Sequence, residues 1–259
     1  MIVRDFSDCA ALVTGSSGGI GLEIAAQLAE AGVARVMING RKAERCGAAV
    51  KLIKERAPTC DVNFIVADPT KQKQAKGLVA DTVASLGNLD ILVNSIPGHL
   101  SPRPFHEVPE ESIDPLVAAH LSSVFYICLA AMPHLIAREG GVILNMSSDA
   151  AKIATPGEAV MGACKAGVVM FSRTLALEGA RHGIRVHSLT PSVVKDTAAY
   201  ERIMASEFSR KLFEKAERRA RLGVVTPRDI APLAVFLASP AAAKITGQTI
   251  SVNGGISAG

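Results

Sequence analysis

The sequence predicts an α/β fold in which helices flank a doubly wound parallel sheet. First, short apolar runs alternate with helical patterns along all 259 residues, and such alternation produces parallel strands joined by right-handed crossovers. Second, a glycine-rich turn follows the first apolar run. Third, 49% of the residues are hydrophobic and 20% are charged, a balance that supports a large core and excludes a disordered chain. Because no repeat or linker interrupts the pattern, we expect one domain over residues 1–259.

The predicted strands are short, continuous apolar runs, as expected for strands buried on both faces. In chain order they are Ala10–Val13, Val36–Ile38, Val62–Val66, Ile91–Asn94, Val142–Met146, Val186–Leu189 and Thr249–Val252. The predicted helices lie between them and cover both faces of the sheet. They are Gly21–Glu30, Ala43–Arg56, Gln72–Leu86, Ile113–Ala137, Ala159–His182 and Arg228–Ala238, with a charged helical segment at Ala199–Leu222.

Composition excludes several classes of function. The formal charge of +4 is too small for a nucleic-acid-binding protein, and aromatic residues make up only 4% of the chain. Five cysteines without a C-x-x-C pair argue against disulfides and a zinc site, so we expect no metal and mostly buried thiols. The first residues lack a signal-peptide pattern, and no run of 18 apolar residues occurs. We therefore expect a soluble, cytoplasmic protein without a membrane span.

The turn Thr14–Gly21 lies between the first strand and the first helix. Glycines at Gly15, Gly19 and Gly21 let the turn tighten and let backbone amides, including those near Ser17 and Ile20, approach a pyrophosphate at the helix N-terminus. A tight strand-to-helix turn without a ligand is the alternative. Because the turn sits at the first βα junction, we predict a dinucleotide site.

The end of the second strand indicates which dinucleotide binds. Sites for NAD usually carry an acid here for the ribose 2′-hydroxyl, but the chain reads Asn39-Gly40-Arg41-Lys42. A guanidinium pairs well with a 2′-phosphate. We predict that NADP(H) is preferred over NAD(H), with Arg41 as the main contact and Asn39 beside it. A solvated basic turn is the alternative interpretation.

The turn resembles the T-G-x-x-x-G-x-G signature of the short-chain dehydrogenase/reductase family, and the resemblance covers nearly the whole chain. Its further matches are Asp68, Leu92-Val93-Asn94, Ser147-Ser148, Lys165, Pro191, Ile245-Thr246-Gly247-Gln248 and Val252-Asn253-Gly254-Gly255. The resemblance implies a Rossmann-type single domain and a homotetramer built through the long fourth and fifth helices. It also implies cofactor contacts at Asp68, Asn94, Lys165, Pro191 and Val194.

The chain departs from the family where the chemistry is expected. The family's Y-x-x-x-K reads Met161 to Lys165, and neither tyrosine of the chain has a lysine four residues later. The asparagine of the central helix is His120, and Pro97 ends the stretch that normally reads N-N-A-G. The resemblance implies a catalytic set of Asn, Ser, Tyr and Lys, which here reads His120, Ser148, Met161 and Lys165.

Met161 has no titratable proton and is not an acid. Losing a positioned acid typically costs roughly 10²–10⁴ in rate. His120 is the most promising substitute because imidazole titrates near neutral pH, although a helix histidine satisfied by a backbone carbonyl is equally compatible. Ser148 can hydrogen-bond a developing oxyanion, and Lys165 can act directly or through water. The remaining nearby candidates, without a spacing argument, are His99, Asp149 and Glu158.

These residues favour an NADPH-dependent oxidoreductase that reduces a carbonyl or an activated alkene, including an acyl thioester, with a non-standard proton donor. Some enoyl-reducing relatives also lack the usual Y-x-x-x-K arrangement. Two alternatives stay open. One is a redox-inactive subunit that binds nucleotide or a partner, and the other is a non-redox lyase, isomerase or hydratase using His120 and Ser148.

The charged segment, residues 199–222, corresponds to the family's variable substrate-binding region. Met204, Phe208 and Leu212 are placed to cover an apolar small-molecule substrate, and the interspersed cations are placed to meet the phosphate of a CoA or carrier-protein thioester. An amphipathic helix with a solvated charged face is the alternative.

Overall fold

The computed structural model describes residues 2–98 and 101–258. Within these residues, seven strands form one sheet in the order β3-β2-β1-β4-β5-β6-β7, and every neighbouring pair is parallel. The strands are β1 Ala10–Thr14, β2 Arg35–Gly40, β3 Asp61–Val66, β4 Ile91–Asn94, β5 Gly141–Met146, β6 Ile184–Pro191 and β7 Thr249–Val252. The doubly wound parallel sheet is therefore confirmed.

Helices cover both faces of the sheet. They are α1 Gly19–Glu30, α2 Ala43–Arg56, α3 Gln72–Leu86, α4 Ile113–Val117, α5 Ser123–Ala137, α6 Ala159–Ala180, α7 Ala198–Ala205, α8 Glu207–Glu217 and α9 Pro227–Ala238. Buried side chains of α1, α2 and α9 form one core layer. Those of α3, α5 and α6 form a second layer on the opposite face. The order of strands reverses at β1, which opens a crevice at the carboxyl ends of β1 and β4.

Two predicted helices are not uniform. The expected helix Ile113–Ala137 contains a π-helical turn, Ala118–Ser122, between α4 and α5. A π turn widens the helix locally and commonly marks a functional site. Its central residue is His120.

The charged helical segment predicted over Ala199–Leu222 consists of two separate helices, α7 and α8. The chain is extended at Ser206, with φ −100° and ψ 133°. The hydroxyl of Ser209 donates to the carbonyl oxygen of Ile203 at 2.6 Å. A side chain that satisfies the last carbonyls of α7 competes with helix continuation and so stabilises the break.

Two helical stretches are long and apolar enough to cross a membrane by length and composition, Glu110–Ala137 and Ala159–Ala180. Both pack against the sheet, but only 44% and 39% of their apolar windows are buried. Leu129 is 71% exposed, Met170 60% and Leu177 76%. α5 and α6 therefore present an apolar outer face, which we call the α5/α6 face.

Candidate active site

The glycine-rich turn leaves the start of α1 open. Gly15 has a positive φ of 62°, and a Cβ at this position would collide with the carbonyl oxygen of Ser95. Gly18 is the N-cap of α1, and no described side chain caps this end or places an acid in its first turn. The amides at Gly19, Ile20 and Gly21 therefore form a positively polarised helix end that fits a pyrophosphate.

Asn39 organises this turn from inside the fold. Its Nδ2 donates to the carbonyl oxygens of Ile65 at 3.1 Å and Ala67 at 3.2 Å. Its Oδ1 accepts from the amide of Gly15 at 3.4 Å, and its carbonyl oxygen accepts from the amide of Ser16 at 2.9 Å. The Asn39 side chain thus ties the glycine turn to β3 and the loop that follows it.

Ser17 and Arg41 lie at the carboxyl end of β2. A Cβ on Gly40 would come within 2.8 Å of Ser17 Oγ, so Ser17 lies directly against the residue before Arg41. Arg41 is exposed. In residues 2–98 and 101–258 its guanidinium has no hydrogen bond or ion pair, so it is available for a phosphate.

The other predicted cofactor residues occupy the carboxyl edge of the sheet. Asp68 follows β3, and its Oδ1 accepts from the hydroxyl of Thr70 at 2.8 Å. Asn94 ends β4 and donates to Asn145 Oδ1 at 2.9 Å in a buried network. Pro191 ends β6, and Val194 forms a backbone bridge with Val225.

The two serines after β5 have different environments. Ser147 is buried and donates to the carbonyl oxygen of Lys165 at 2.9 Å, which fastens the strand end to α6. Ser148 is half-buried. Its Oγ accepts from the amide of Ala150 at 3.2 Å and caps the 3₁₀ turn Asp149–Ala151. Since an accepting hydroxyl keeps its proton, Ser148 can still donate to a substrate oxygen.

Lys165 lies beneath this strand end. Its Nζ donates to the carbonyl oxygen of Met146 at 2.8 Å. Burial lowers the pKa of Lys165 to about 8. The neighbouring Cys164 is buried, as are the other four cysteines, all of them free thiols. The prediction of buried thiols is confirmed.

A pocket beside this edge brings together His120, Glu158 and Met161. His120 is buried, and its ring packs so closely on Gly98 that no Cβ would fit there. The structure therefore places His120 and Met161, the residues predicted to stand at the family's asparagine and tyrosine positions, in one cavity. Burial also raises the pKa of Glu158 to about 7. The sequence offered Glu158 only as a nearby candidate without a spacing argument, although it precedes Met161 by three residues and so lies on the same helix face.

Asp149 has a structural role that sequence reasoning missed. It is buried. Its carboxylate accepts from Asn253 Nδ2 at 2.6 Å, Ser257 Oγ at 2.9 Å and Ser251 Oγ at 3.3 Å. These bonds fasten β7 and the C-terminal segment to the residue after Ser148. His99, the third of the nearby candidates, lies outside the described residues.

Helices α7 and α8 reach the mouth of the pocket. Arg202 Nη2 donates to the carbonyl oxygen of Gly98 at 2.9 Å, and Ser101 Oγ donates to that of Arg202 at 3.1 Å. The ring of Phe208 packs against Gly157, where a Cβ would come within 2.6 Å of its Cε1. The charged segment thus contacts loops on both sides of the pocket.

A family model described as "Enoyl-(Acyl carrier protein) reductase" matches residues 15–257. The chain is 35% identical over 250 residues to a 3-oxoacyl-[acyl-carrier-protein] reductase of Staphylococcus aureus, covering 95% of this chain and 97% of that protein. It is 34% identical over 250 residues to a gluconate 5-dehydrogenase of Gluconobacter oxydans, covering 96% and 95%.

Among solved structures, the chain is similar to a short-chain type dehydrogenase/reductase from Mycobacterium ulcerans. The TM-score is 0.89 at 28% identity, and the match covers 98% of this chain and 91% of that one. The likeness therefore extends over the whole sheet and both helical layers.

Proposed function

The chain belongs to the short-chain dehydrogenase/reductase family of oxidoreductases, and from this premise we propose that it is an NADPH-dependent reductase of an acyl thioester. The group reduced is a carbonyl or an activated alkene. The observation that carries the proposal is the shared pocket of His120 and Met161, with the buried Lys165 one turn after Met161 on α6. The residues that replace the family's asparagine and tyrosine still face one cavity, so a reaction site with a different acid is retained.

The cofactor is NADP(H) rather than NAD(H). The uncapped start of α1 would hold the pyrophosphate. Arg41, with Ser17 beside it, would hold the 2′-phosphate at the end of β2. No acid competes for this position, since the strand ends Asn39-Gly40-Arg41-Lys42.

When bound, the cofactor supplies the hydride. Ser148 and His120 donate hydrogen bonds to the substrate oxygen on which negative charge develops, whether this is a ketone oxygen or the thioester oxygen of an enolate. Lys165 adds positive charge beneath the site. Met161 contributes an apolar wall and no proton, so the proton must come from another group.

The substrate class follows from the relatives and from the charged segment. Both the matched family description and the Staphylococcus aureus relative name an acyl-carrier-protein reductase. Arg218, Arg219 and Arg221 are exposed beyond α8, and they form no ion pair in the part of the chain that the structure describes. They are free to meet the phosphate and acidic surface of a carrier protein or the phosphates of CoA.

The α5/α6 face supports a homotetramer. A large apolar surface on a globular protein normally marks an interface, and the rings of Phe125 and Phe171 join the two helices at a centroid distance of 4.7 Å. Burial of this face between copies also favours a soluble, cytoplasmic enzyme over a membrane protein.

The test combines calorimetric titration of NADPH and NADH with a turnover screen of 3-oxoacyl thioesters, enoyl thioesters and the matching free ketones. We expect NADPH to bind at least roughly tenfold more tightly than NADH, and thioesters to turn over faster than free ketones. Met161→Tyr is measured in parallel. Binding without turnover by the native chain, with ketone reduction restored by Met161→Tyr, would instead identify a redox-inactive subunit.

A further inference from the structure

Three residues at the start of α6, its N-cap included, lie along one face of the helix. Glu158 is its N-cap, Met161 follows by three residues and Lys165 by four more. Residues at these spacings are neighbours on a helix surface. The carboxyl group of Glu158 therefore lies one turn before the position of the missing phenol, just as Lys165 lies one turn after it. Glu158 and Met161 line the same pocket as His120.

The carboxyl group of Glu158 has no structural partner in residues 2–98 and 101–258. It occupies the N-cap of α6, yet its side chain forms no capping hydrogen bond. It takes part in no ion pair or side-chain hydrogen bond with any described residue. The main chain of Glu158 stabilises the first turn of α6, since its carbonyl oxygen accepts from the amide of Gly162 at 2.6 Å. A partly buried acid without a partner costs stability, which indicates a role outside folding.

The walls of the pocket suit an acid that stays protonated. They include the apolar side chains of Phe105, Val108 and Leu116. Among the described lining residues, Arg103 and His120 are the other charged or titratable groups. Burial raises the pKa of Glu158 to about 7, so a large fraction of the group carries a proton at neutral pH.

We propose that Glu158 is the proton donor of this site and takes the place of the tyrosine that the chain lacks. The proposal rests on the proposed reductase function, which supplies the hydride. As the substrate carbon accepts the hydride pair, the O–H bond of the Glu158 acid breaks. Its proton goes to the ketone oxygen, or to the α-carbon of the enolate when an enoyl thioester is reduced. The carboxylate that remains takes a proton from water at the pocket mouth.

The test compares the native chain with Glu158→Gln, which keeps the shape and removes the proton. Glu55→Gln, an exposed position on α2, is the matched control. The pH profile of kcat is measured with the best thioester, and NADPH affinity is measured by titration. Carboxyl-carbon NMR of protein labelled with ¹³C-glutamate follows the titration of Glu158 without any substrate.

We expect Glu158→Gln to lower kcat by roughly 10²–10⁴-fold with NADPH affinity unchanged. The fall of native kcat as pH rises through about 7 should disappear in the variant. The NMR signal that titrates near neutral pH should also be absent from it. Glu55→Gln should match the native chain in all three measurements.

Two results would overturn the assignment while the reductase function stands. One is a kcat of Glu158→Gln within threefold of native, in which case loss of turnover in His120→Gln would identify the imidazole as donor. The other is a Glu158 signal that titrates at the usual glutamate pKa. A native chain that binds NADPH but reduces no thioester or ketone would reject the proposed function, and the proton-donor assignment with it.

Discussion

The ammonium group of Lys165 donates a 2.8 Å hydrogen bond to the carbonyl oxygen of Met146, the last residue of β5. The serine pair of the site begins at the next residue, and Ser147 returns a hydrogen bond to the carbonyl oxygen of Lys165 at 2.9 Å. These two bonds join α6 to the strand end in both directions. The lysine is therefore held in place beneath the site before any ligand binds, and its charge is buried at a cost to stability.

Replacing Lys165 should lower turnover without lowering the stability of the fold. Burial lowers the pKa of Lys165 from 10.5 to about 8, which corresponds to roughly 3 kcal/mol of destabilisation at neutral pH, where both the folded and unfolded states bind the proton. Lys165→Met removes this cost, so we expect equal or higher stability and at least roughly 100-fold lower turnover.

The sign of the pH dependence provides the check. Between pH 8 and 10.5 the unfolded chain holds the Lys165 proton and the folded chain releases it, so the native free energy of unfolding should rise with pH relative to Lys165→Met. Urea unfolding from pH 7 to 10.5 measures this difference. An exposed control, Lys51→Met on α2, should show no such slope. Parallel profiles for native and Lys165→Met chains would contradict the buried-charge interpretation.

Arg41 should control the choice of nucleotide. A charge-assisted hydrogen bond is worth roughly 1.5–3 kcal/mol, so Arg41→Ala should weaken NADPH binding by about 10- to 100-fold. NADH affinity should stay within about twofold, because NADH has no 2′-phosphate. Calorimetric titration of both nucleotides measures the ratio, with Lys54→Ala on the far part of α2 as control. An unchanged ratio of NADPH to NADH affinity would show that the exposed guanidinium of Arg41 does not bind the 2′-phosphate.

The fold could be predicted from the sequence because its signals are local. Each buried strand reads as an apolar run, and the glycine turn marks the first βα junction. The π turn around His120 could not be predicted, because the apolar pattern of Ile113–Ala137 continues through it. The break at Ser206 was also missed, since it depends on a hydroxyl three residues later bonding back to the end of α7.

The sequence offers candidate members of the site but does not show the surroundings of each side chain. Motif spacing points to Ser148, Met161 and Lys165. It cannot show that the carboxylate of Asp149 accepts hydrogen bonds from the C-terminal segment. Asp149 is buried and Glu158 is half-buried, and both acids lie close to Ser148 in the chain. Only the three-dimensional contacts distinguish the carboxylate that is fully hydrogen-bonded from the one that faces the pocket.

The stability of the fold should depend on pH through His187 in β6. This side chain is completely buried. Burial, aided by the charge of Arg185, lowers the pKa of His187 to about 4. Between pH 6.5 and 4 the unfolded chain binds a proton that the folded chain does not bind. As the pH is lowered through this range, the free energy of unfolding should therefore decrease by up to roughly 3 kcal/mol. The contribution is intact above pH 6.5.

Urea unfolding of the native protein and His187→Gln from pH 4 to 7 measures the contribution of His187 to the pH dependence of stability. The variant starts with altered packing, so the informative quantity is the slope of its stability with pH, which should be shallower than the native slope. His182→Gln, an exposed histidine before β6, should keep the native slope. Equal slopes for native and His187→Gln would mean that His187 gains a proton as readily in the folded state.

The α5/α6 face should hold the subunits together. Leu129 and Leu177 are 71% and 76% exposed on the single chain, and burying a carboxylate opposite apolar groups is strongly unfavourable. Leu129→Glu and Leu177→Glu should therefore raise the dissociation constant of the assembly at least roughly 100-fold, producing smaller species in sedimentation velocity. Far-ultraviolet circular dichroism should stay native, since both positions lie outside the core layers. Leu52→Glu, on the exposed side of α2, should leave the assembly intact. If the native chain sediments as an assembly and both α5/α6 variants sediment like it, the copies associate through a different surface; a monomeric native chain would reject the proposed tetramer.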